Sequence, residues 1–232
     1  VLGTSIAEQD LAREGAVLAG RRSRAREFFA TVAGEWESVR TDLFGEQLDL
    51  RLALSLLDAD SVVGDLGCGT GHLTAMIAPH VARVVSVDGS AEMLAAARAR
   101  VTGLANVELH LGDLEQLPLA DHTLDAAIHS LVLHYVADPG RAIAEAARIL
   151  RPGGRLVVLD MMPHERDDLQ QRMGHVWRGF SESQMEEWFT AAGLERARYT
   201  ALPVDHSARG PALFAASARR PAARGRQEHR RE

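Results

Sequence analysis

Asp65-Leu66-Gly67-Cys68-Gly69-Thr70-Gly71 directly follows an apolar run, Val62-Val63, and directly precedes a helical pattern over Leu73 to Ala78. Glycines at a strand-to-helix turn adopt positive φ and let the backbone pass close to a ligand. A glycine loop alone can also merely tighten a turn. Asp88 sharpens the reading, because it stands 21 residues after Gly67 at the end of the next apolar run, where a carboxylate can accept hydrogen bonds from both hydroxyls of a ribose. The spacing is G-x-G-x-G, not the dinucleotide spacing G-x-G-x-x-G, and the loop carries no Arg or Lys for a pyrophosphate. The expected ligand therefore has a ribose and no phosphates, and an NAD-type oxidoreductase carries little weight.

Working outward, Val84-Val85-Ser86-Val87, Val107 to Leu111, Ala126-Ala127-Ile128 and Leu156 to Leu159 read as further strands, most of them too apolar for a sheet face open to water. Helices lie between them. Ser90 is the expected N-cap for 91–101, and Asp138 with Pro139 forms the cap and first-turn pair for 139–150. Ile143, Ala146, Ala147 and Leu150 make the buried stripe of the latter. Strand–helix–strand repetition implies parallel pairing with right-handed crossovers, an α/β doubly wound Rossmann-like sheet. After residue 160 an irregular polar stretch leads to a helix with capping-box spacing at Ser181-Glu182-Ser183-Gln184, a core face of Met185, Trp188, Phe189 and Ala192, and a stop at Gly193. Residues 195–201 and 211–217 read as a C-terminal antiparallel hairpin.

Upstream, residues 9–36 read as helix with Phe29, Val32, Ala33 and Trp36 on one face, and a second helical stretch carries Phe44, Leu48, Leu52 and Leu56, with Gly34 and Gly45 as weak points. The expected division is an N-terminal helical lid or extension over 1–58, a ligand-binding domain over 59–218, and a disordered Arg-rich tail over 219–232. Phe28, Phe29 and Trp36 either form a lid or cover exposed sheet. Arg21, Arg22, Arg24 and Arg26 read as a solvated face in preference to a nucleic-acid patch.

Composition excludes much. The 232 residues are 46% hydrophobic and 25% charged, and all 26 basic residues are Arg. With no Lys there is no P-loop lysine, Schiff base or lysine general base, so kinases, P-loop NTPases and pyridoxal enzymes drop out. One cysteine, Cys68, excludes an intrachain disulfide and any cysteine-rich metal site, and it reads as a small buried residue. The net charge of −6 argues against a surface devoted to nucleic acid. No run approaches the roughly 18 apolar residues of a membrane span, and no secretory signal opens the chain, so a cytoplasmic location is expected. The first residue is Val, which leaves room for a segment upstream.

At Asp65 to Gly71 and Asp88 the sequence resembles the class I S-adenosylmethionine-dependent methyltransferases, in particular the type 11-like methyltransferase domain. Gly112-Asp113-Leu114 after the third strand, Asp125 to His129 in the fourth, and Arg151-Pro152-Gly153-Gly154 as a turn before the fifth extend the resemblance over residues 60–160. It implies seven strands, mostly parallel with the final hairpin antiparallel, and S-adenosylmethionine as cofactor with S-adenosylhomocysteine as product. It places Asp65, Gly67, Gly69 and Gly71 at the cofactor's amino acid end, and Asp88 with Gly89 at the ribose. Asp113 and Leu114 fall at the adenine, and His129 near the sulfur. Leu133-His134-Tyr135 resembles the segment of small-molecule methyltransferases that faces the acceptor, so His134 is the candidate base and Tyr135 the group that orients the acceptor; packing at a loop is the plainer role for His134.

His164, Glu165, Arg166, His175 and Arg178 fall where an anionic substrate or a metal could bind, but their spacing is no metal signature and no metal is expected. No D/N-P-P-Y segment follows the fourth strand, which weakens nucleic acid as substrate, and a single cysteine disfavours arsenite. The expected function is methyl transfer to an O, C or N nucleophile of a small molecule, by in-line displacement. The alternative is a sensor of S-adenosylmethionine or S-adenosylhomocysteine, since segments 26–40 and 163–180 look similar to a subgroup fused behind ArsR-type repressors. The expected partners are a small-molecule acceptor and no membrane. Nucleic acid enters only if a DNA-binding segment precedes Val1, and a homodimer is left open.

Overall fold

A computed structural model describes residues 26–205 and 207–223, together with 13, 17, 19, 20, 23 and 24. The expected helix start near residue 9, Arg21, Arg22, and positions 224–232 of the expected tail lie outside the described residues. The chain divides into two units, Val1–Leu56 and Leu57–Glu232.

In the first unit residues 26–32 are helical, a turn occupies 33–35, and α1 (Trp36–Phe44) and α2 (Leu48–Leu54) follow. Both glycines act as expected, but the break at Gly34 makes Trp36 the first residue of a new helix and not the last of the old one. Gly45, at φ +81°, ends α1, and Arg40 bridges to α2 by gripping both carboxylate oxygens of Asp49 at 2.6 and 2.8 Å. The rings of Phe28, Phe29 and Trp36 pack edge to face, with centroids 5.2 to 6.5 Å apart.

The second unit is a seven-stranded sheet in the order β3-β2-β1-β4-β5-β7-β6. The strands are β1 (Val62–Leu66), β2 (Arg83–Asp88), β3 (Val107–Leu111), β4 (Leu124–Ser130), β5 (Leu150–Met161), β6 (Glu195–Ala201) and β7 (Leu213–Arg219). The first five pair in parallel, and β7 runs antiparallel between β5 and β6. Every residue of β1 is buried, as expected for the centre of a sheet covered on both faces. The linking helices are α3 (His72–Ile77), α4 (Ala91–Arg100), α5 (Pro139–Ile149), α6 (Asp167–Met173) and α7 (Glu182–Ala191). Ile143, Ala146 and Ala147 of α5 and Met185 and Phe189 of α7 share a core with Leu124, Leu156 and Phe214 of the sheet.

The caps follow the sequence closely. Met93 N–H donates to Ser90 Oγ at 3.1 Å, Arg141 N–H donates to Asp138 Oδ1 at 3.0 Å, and Ser181 with Gln184 closes the capping box of α7. Ser181→Ala removes the acceptor for the Gln184 N–H and is expected to lower stability by about 1 kcal/mol, measurable by urea denaturation. No loss at all would mean that the box contributes nothing here.

Three features depart from expectation. Arg151-Pro152-Gly153-Gly154 is not a turn ahead of β5 but a bulge within it: Leu124 pairs with Leu150, and Ala126 already pairs with Arg155. Gly153 at φ +83° allows the excursion, and Arg151 anchors it on the Asp125 carboxylate at 2.6 Å. The stretch after β5 contains α6, whose only strongly apolar residues are Leu169 and Met173, too few for a periodic signal. The start of the expected tail is ordered, because Arg219 ends β7 and Arg220 Nη1 donates to the carbonyls of Ala147, Arg148 and Leu150 at 2.7 to 2.8 Å, satisfying the C-terminal end of α5.

Candidate functional site

The chain order β1, β2, β3 runs to one side of the sheet, and β4 then starts on the other side of β1. A crevice opens at the carboxyl ends of strands where the order reverses, which is where open α/β sheets bind ligands. The glycine loop lies there. Gly67 has φ +83° and Gly69 φ +53°, and the N–H groups of Gly67 and Cys68 both donate to the Val87 carbonyl, at 2.7 and 3.0 Å. A Cβ on Gly67 would collide with the Val132 side chain, so only glycine fits, whereas Gly69 has open space where its Cβ would be.

Asp88 fastens this loop. Its Oδ2 accepts the Gly69 N–H at 2.7 Å and its Oδ1 accepts the Ser90 N–H at 2.9 Å, and each oxygen keeps a further lone pair for a ligand. Asp65 sits at the end of β1, buried, where the Thr74 hydroxyl donates to its Oδ2 at 2.6 Å. That proton being committed, Ser86 Oγ donates to Thr74 Oγ1 across 2.8 Å, so β2, α3 and β1 are joined by one buried chain of hydroxyls. Burial pushes the Asp65 carboxyl up, opposed by the Thr74 bond. Burial also pushes the Cys68 thiol up to about 12, which makes it inert.

Two adjoining cavities share Gly67, Asp88, Val132 and Tyr135. One, of about 570 Å³, is lined also by Gly89, Leu111, Asp113 and Leu114. The other, of about 640 Å³, is lined also by Asp65, Gly69, Met93, Leu131 and Met173. Asp113 forms an Asx turn in which Glu115 N–H donates to Oδ1 at 2.9 Å, so its second oxygen is the one left for a ligand. The donor set suits a nucleoside with a polar, uncharged-to-cationic tail: carboxylates at the ribose position, a bare glycine backbone, apolar walls for a flat base and no arginine for phosphate among the lining residues.

Gly71 and His129 stand outside these walls. Gly71 starts α3 in the left-handed conformation and lets it approach α4, since a Cβ there would lie 3.0 Å from that of Ala97. His129 is fully buried, with its ring Nδ1 3.2 Å from the Leu66 carbonyl, and burial pushes it down to about 4. It is a neutral ring that ties β4 to β1.

His134 lies on a 3-10 turn, Leu133–Tyr135, after β4, and its Nδ1 is 2.7 Å from Oδ1 of Asp160 near the end of β5. Asp160 is 0% exposed, and its carboxylate also accepts the N–H groups of Leu133 at 3.1 Å and Met161 at 2.8 Å. An acceptor-only carboxylate requires Nδ1 to carry the hydrogen, which leaves the lone pair of neutral His134 on Nε2. The Tyr135 ring lies tilted against that of His134, centroids 4.2 Å apart, and lines both cavities. Between β4 and this turn, Leu131 is held at φ +52°, a conformation that costs a non-glycine residue about 1 kcal/mol and shapes the mouth of the crevice.

Sequence reasoning missed Asp160 as the partner of His134. Its signal was present, a lone carboxylate in the apolar run Leu156 to Met162, but the 26-residue separation hid the pairing. The apolar walls Met93, Leu111, Val132 and Met173 had no motif to mark them.

Residues 64–158 match the family described as a methyltransferase domain. An uncharacterized methyltransferase of Bacillus subtilis is 30% identical over 151 residues, covering 62% of this chain and 60% of the relative. A ubiquinone/menaquinone biosynthesis C-methyltransferase of Rubrivivax gelatinosus is 36% identical over 147 residues, covering 60% and 57%. The chain thus spans less than two thirds of the length of these relatives. Among solved structures, a SAM-dependent methyltransferase from Aquifex aeolicus aligns with a TM-score of 0.60 at 24% identity over 78% of this chain and 92% of that one. This likeness is one of fold.

No helix among the described residues is long and apolar enough to cross a membrane.

Proposed function

We propose that the chain transfers a methyl group from S-adenosylmethionine to a nucleophile on a small molecule. The observation that carries this reading is the juxtaposition, at one crevice, of the Asp88-fastened glycine loop with a buried His134–Asp160 pair whose Tyr135 neighbour lines the same space. In this reading Asp88 holds the ribose hydroxyls, Asp113 and the Leu114 N–H face the adenine edge, and Gly67 and Gly69 give backbone access at the amino acid end, with Asp65 beneath. Gly71 and His129 support these groups from behind. The bound cofactor supplies a methyl carbon made electrophilic by its sulfonium. The protein's part is alignment, exclusion of water by Val132, Leu131 and Met173, and removal of a proton where the acceptor carries one. The matched relatives whose class is stated are methyltransferases, which favours an enzyme over a ligand sensor.

Calorimetric titration of the full chain with S-adenosylmethionine and S-adenosylhomocysteine tests the reading. Asp88→Ala removes charge-assisted hydrogen bonds and is expected to weaken both ligands by about 10- to 100-fold. Failure of the folded wild-type chain to bind either ligand would refute the proposal.

A further inference from the structure

Beside His134 lies a second imidazole, outside the methyl-transfer reading above. His175 is only 7% exposed, its ring centroid is 4.3 Å from that of His134 and 5.1 Å from that of Tyr135, and both its ring nitrogens are buried without a partner. The segment is not loosely placed, because the N–H groups of Val176 and Trp177 donate to the His134 carbonyl at 2.8 and 3.1 Å, and the Trp177 indole donates to the Val136 carbonyl at 3.0 Å. Met173, two residues earlier, lines the larger cavity. A buried nitrogen pair left unsatisfied costs about 1–3 kcal/mol per group, so a fold that fixes the ring this firmly has a polar occupant to gain. The rings are not arranged as metal ligands: among the described residues no group of three or more His, Cys, Asp or Glu is placed to hold a metal ion.

We propose that His134 and His175 together seat an acidic hydroxyl, a phenol or an enol, on the methyl acceptor, with His134 Nε2 taking its proton. This rests on the methyl-transfer reading above and specifies its acceptor. A hydroxyl offers one donor and two lone pairs, which matches a lone pair on His134 Nε2 and an N–H on His175. A protonated amine has no lone pair with which to accept from His175.

The charges facing the pair point the same way. Asp160 from β5 is bonded to His134, Tyr135 lies on the same turn, and His164 contributes a third ring whose Nε2 is also buried and unpartnered. Burial, then the neighbouring His134 and His164, hold His175 down, and burial, then Arg166 and Arg178, hold His164 down. Those two arginines are themselves paired with Asp168 and Asp167. Of these rings His134 is the one with a carboxylate on its far nitrogen, since Asp160 Oδ1 lies 2.7 Å from its Nδ1. A phenol, near pKa 10, lies about 3.5 units above a histidine, a gap that a paired imidazole can cross transiently, while an aliphatic alcohol lies far beyond it. In the step, the acceptor O–H bond breaks and the proton goes to His134 Nε2. The oxygen lone pair forms the O–CH3 bond, and the S–CH3 bond electrons return to sulfur, leaving the thioether.

The test uses the full chain saturated with S-adenosylhomocysteine, so that no turnover occurs, and 4-nitrophenol and 7-hydroxycoumarin as probes at a pH where both are mostly un-ionised in solution. Bound probe is expected to show the absorbance of its anion in the wild type and not in His134→Gln. His175→Phe, which keeps a ring but deletes both nitrogens, is expected to weaken probe binding about tenfold while S-adenosylhomocysteine affinity stays unchanged, and His175→Gln, with a donor and an acceptor, is expected to restore part of it. Absence of the anion signal for both probes, or an equal signal in His134→Gln, overturns the hydroxyl seat while leaving the cofactor reading intact. Failure of S-adenosylhomocysteine to bind the wild type overturns both.

Discussion

Asp160→Ala is expected to lower stability by about 3–5 kcal/mol, the summed cost of leaving several buried donors without an acceptor. Three donors lose their acceptor at once: His134 Nδ1 and the N–H groups of Leu133 and Met161. No water reaches them, since Asp160 is fully buried. Denaturant titration reads the loss, and Asp160→Asn, which keeps an acceptor oxygen of the same size, should recover much of the stability without restoring a carboxylate behind His134. Asn should therefore fold and bind S-adenosylhomocysteine yet fail to ionise a bound nitrophenol. A loss below about 1 kcal/mol for Asp160→Ala would show that the carboxylate is not the hub of this region.

Acidification should produce the second large effect through His129. Its folded value is pushed down to about 4 by burial, against 6.5 as a free side chain. The unfolded chain therefore takes up a proton first, so His129 stabilises the fold fully above pH 6.5 and its contribution is lost as pH falls through 4, a change of roughly 3 kcal/mol. His164 and His175, also held down, act in the same sense, while Asp65, pushed up, acts in the opposite one. Comparing the wild type with His129→Leu separates the contributions, because the other three are common to both proteins. The variant should start less stable at pH 7, having lost the bond to Leu66, but should lose less between pH 7 and 4.5. Parallel curves would rule out His129 as a source of the acid limb.

The parts legible in the sequence are those where local chemistry and tertiary role coincide. Val62 to Gly71 reads correctly because an apolar strand, a glycine turn and a helix each carry their own signal, and Ser90, Asp138 and Ser181 because a cap needs only neighbouring residues. The Arg151–Gly154 bulge was unreadable as such: glycine and proline announce a turn, and only pairing with β4 decides that the strand runs on past it. Arg220 reads as tail because its value lies in three carbonyls about 70 residues earlier in the chain. His134 was visible as a residue type in a suggestive place, but Asp160 and His175, which give it a tautomer and a neighbour, reach it from β5 and from the loop after α6. Distances of that kind are a property of the sheet order and not of any spacing.

The reversal of strand order between β1 and β4 divides labour as well as space. In the proposed reading the residues that hold the donor, from Asp65 to Leu114, belong to β1, β2, β3 and the turns after them, whereas His134, Asp160 and His175 lie on the turn after β4, on β5 and on the segment beyond. The two sides meet along the β1–β4 pairing and across the crevice, at contacts such as Val132 against Gly67. On that reading, substitutions in 161–180 would redraw which molecule is recognised and leave the half that holds the nucleoside unaltered. Such a chain would be a chassis with an exchangeable tool head, and a library confined to that segment would sample new acceptors from a constant donor platform.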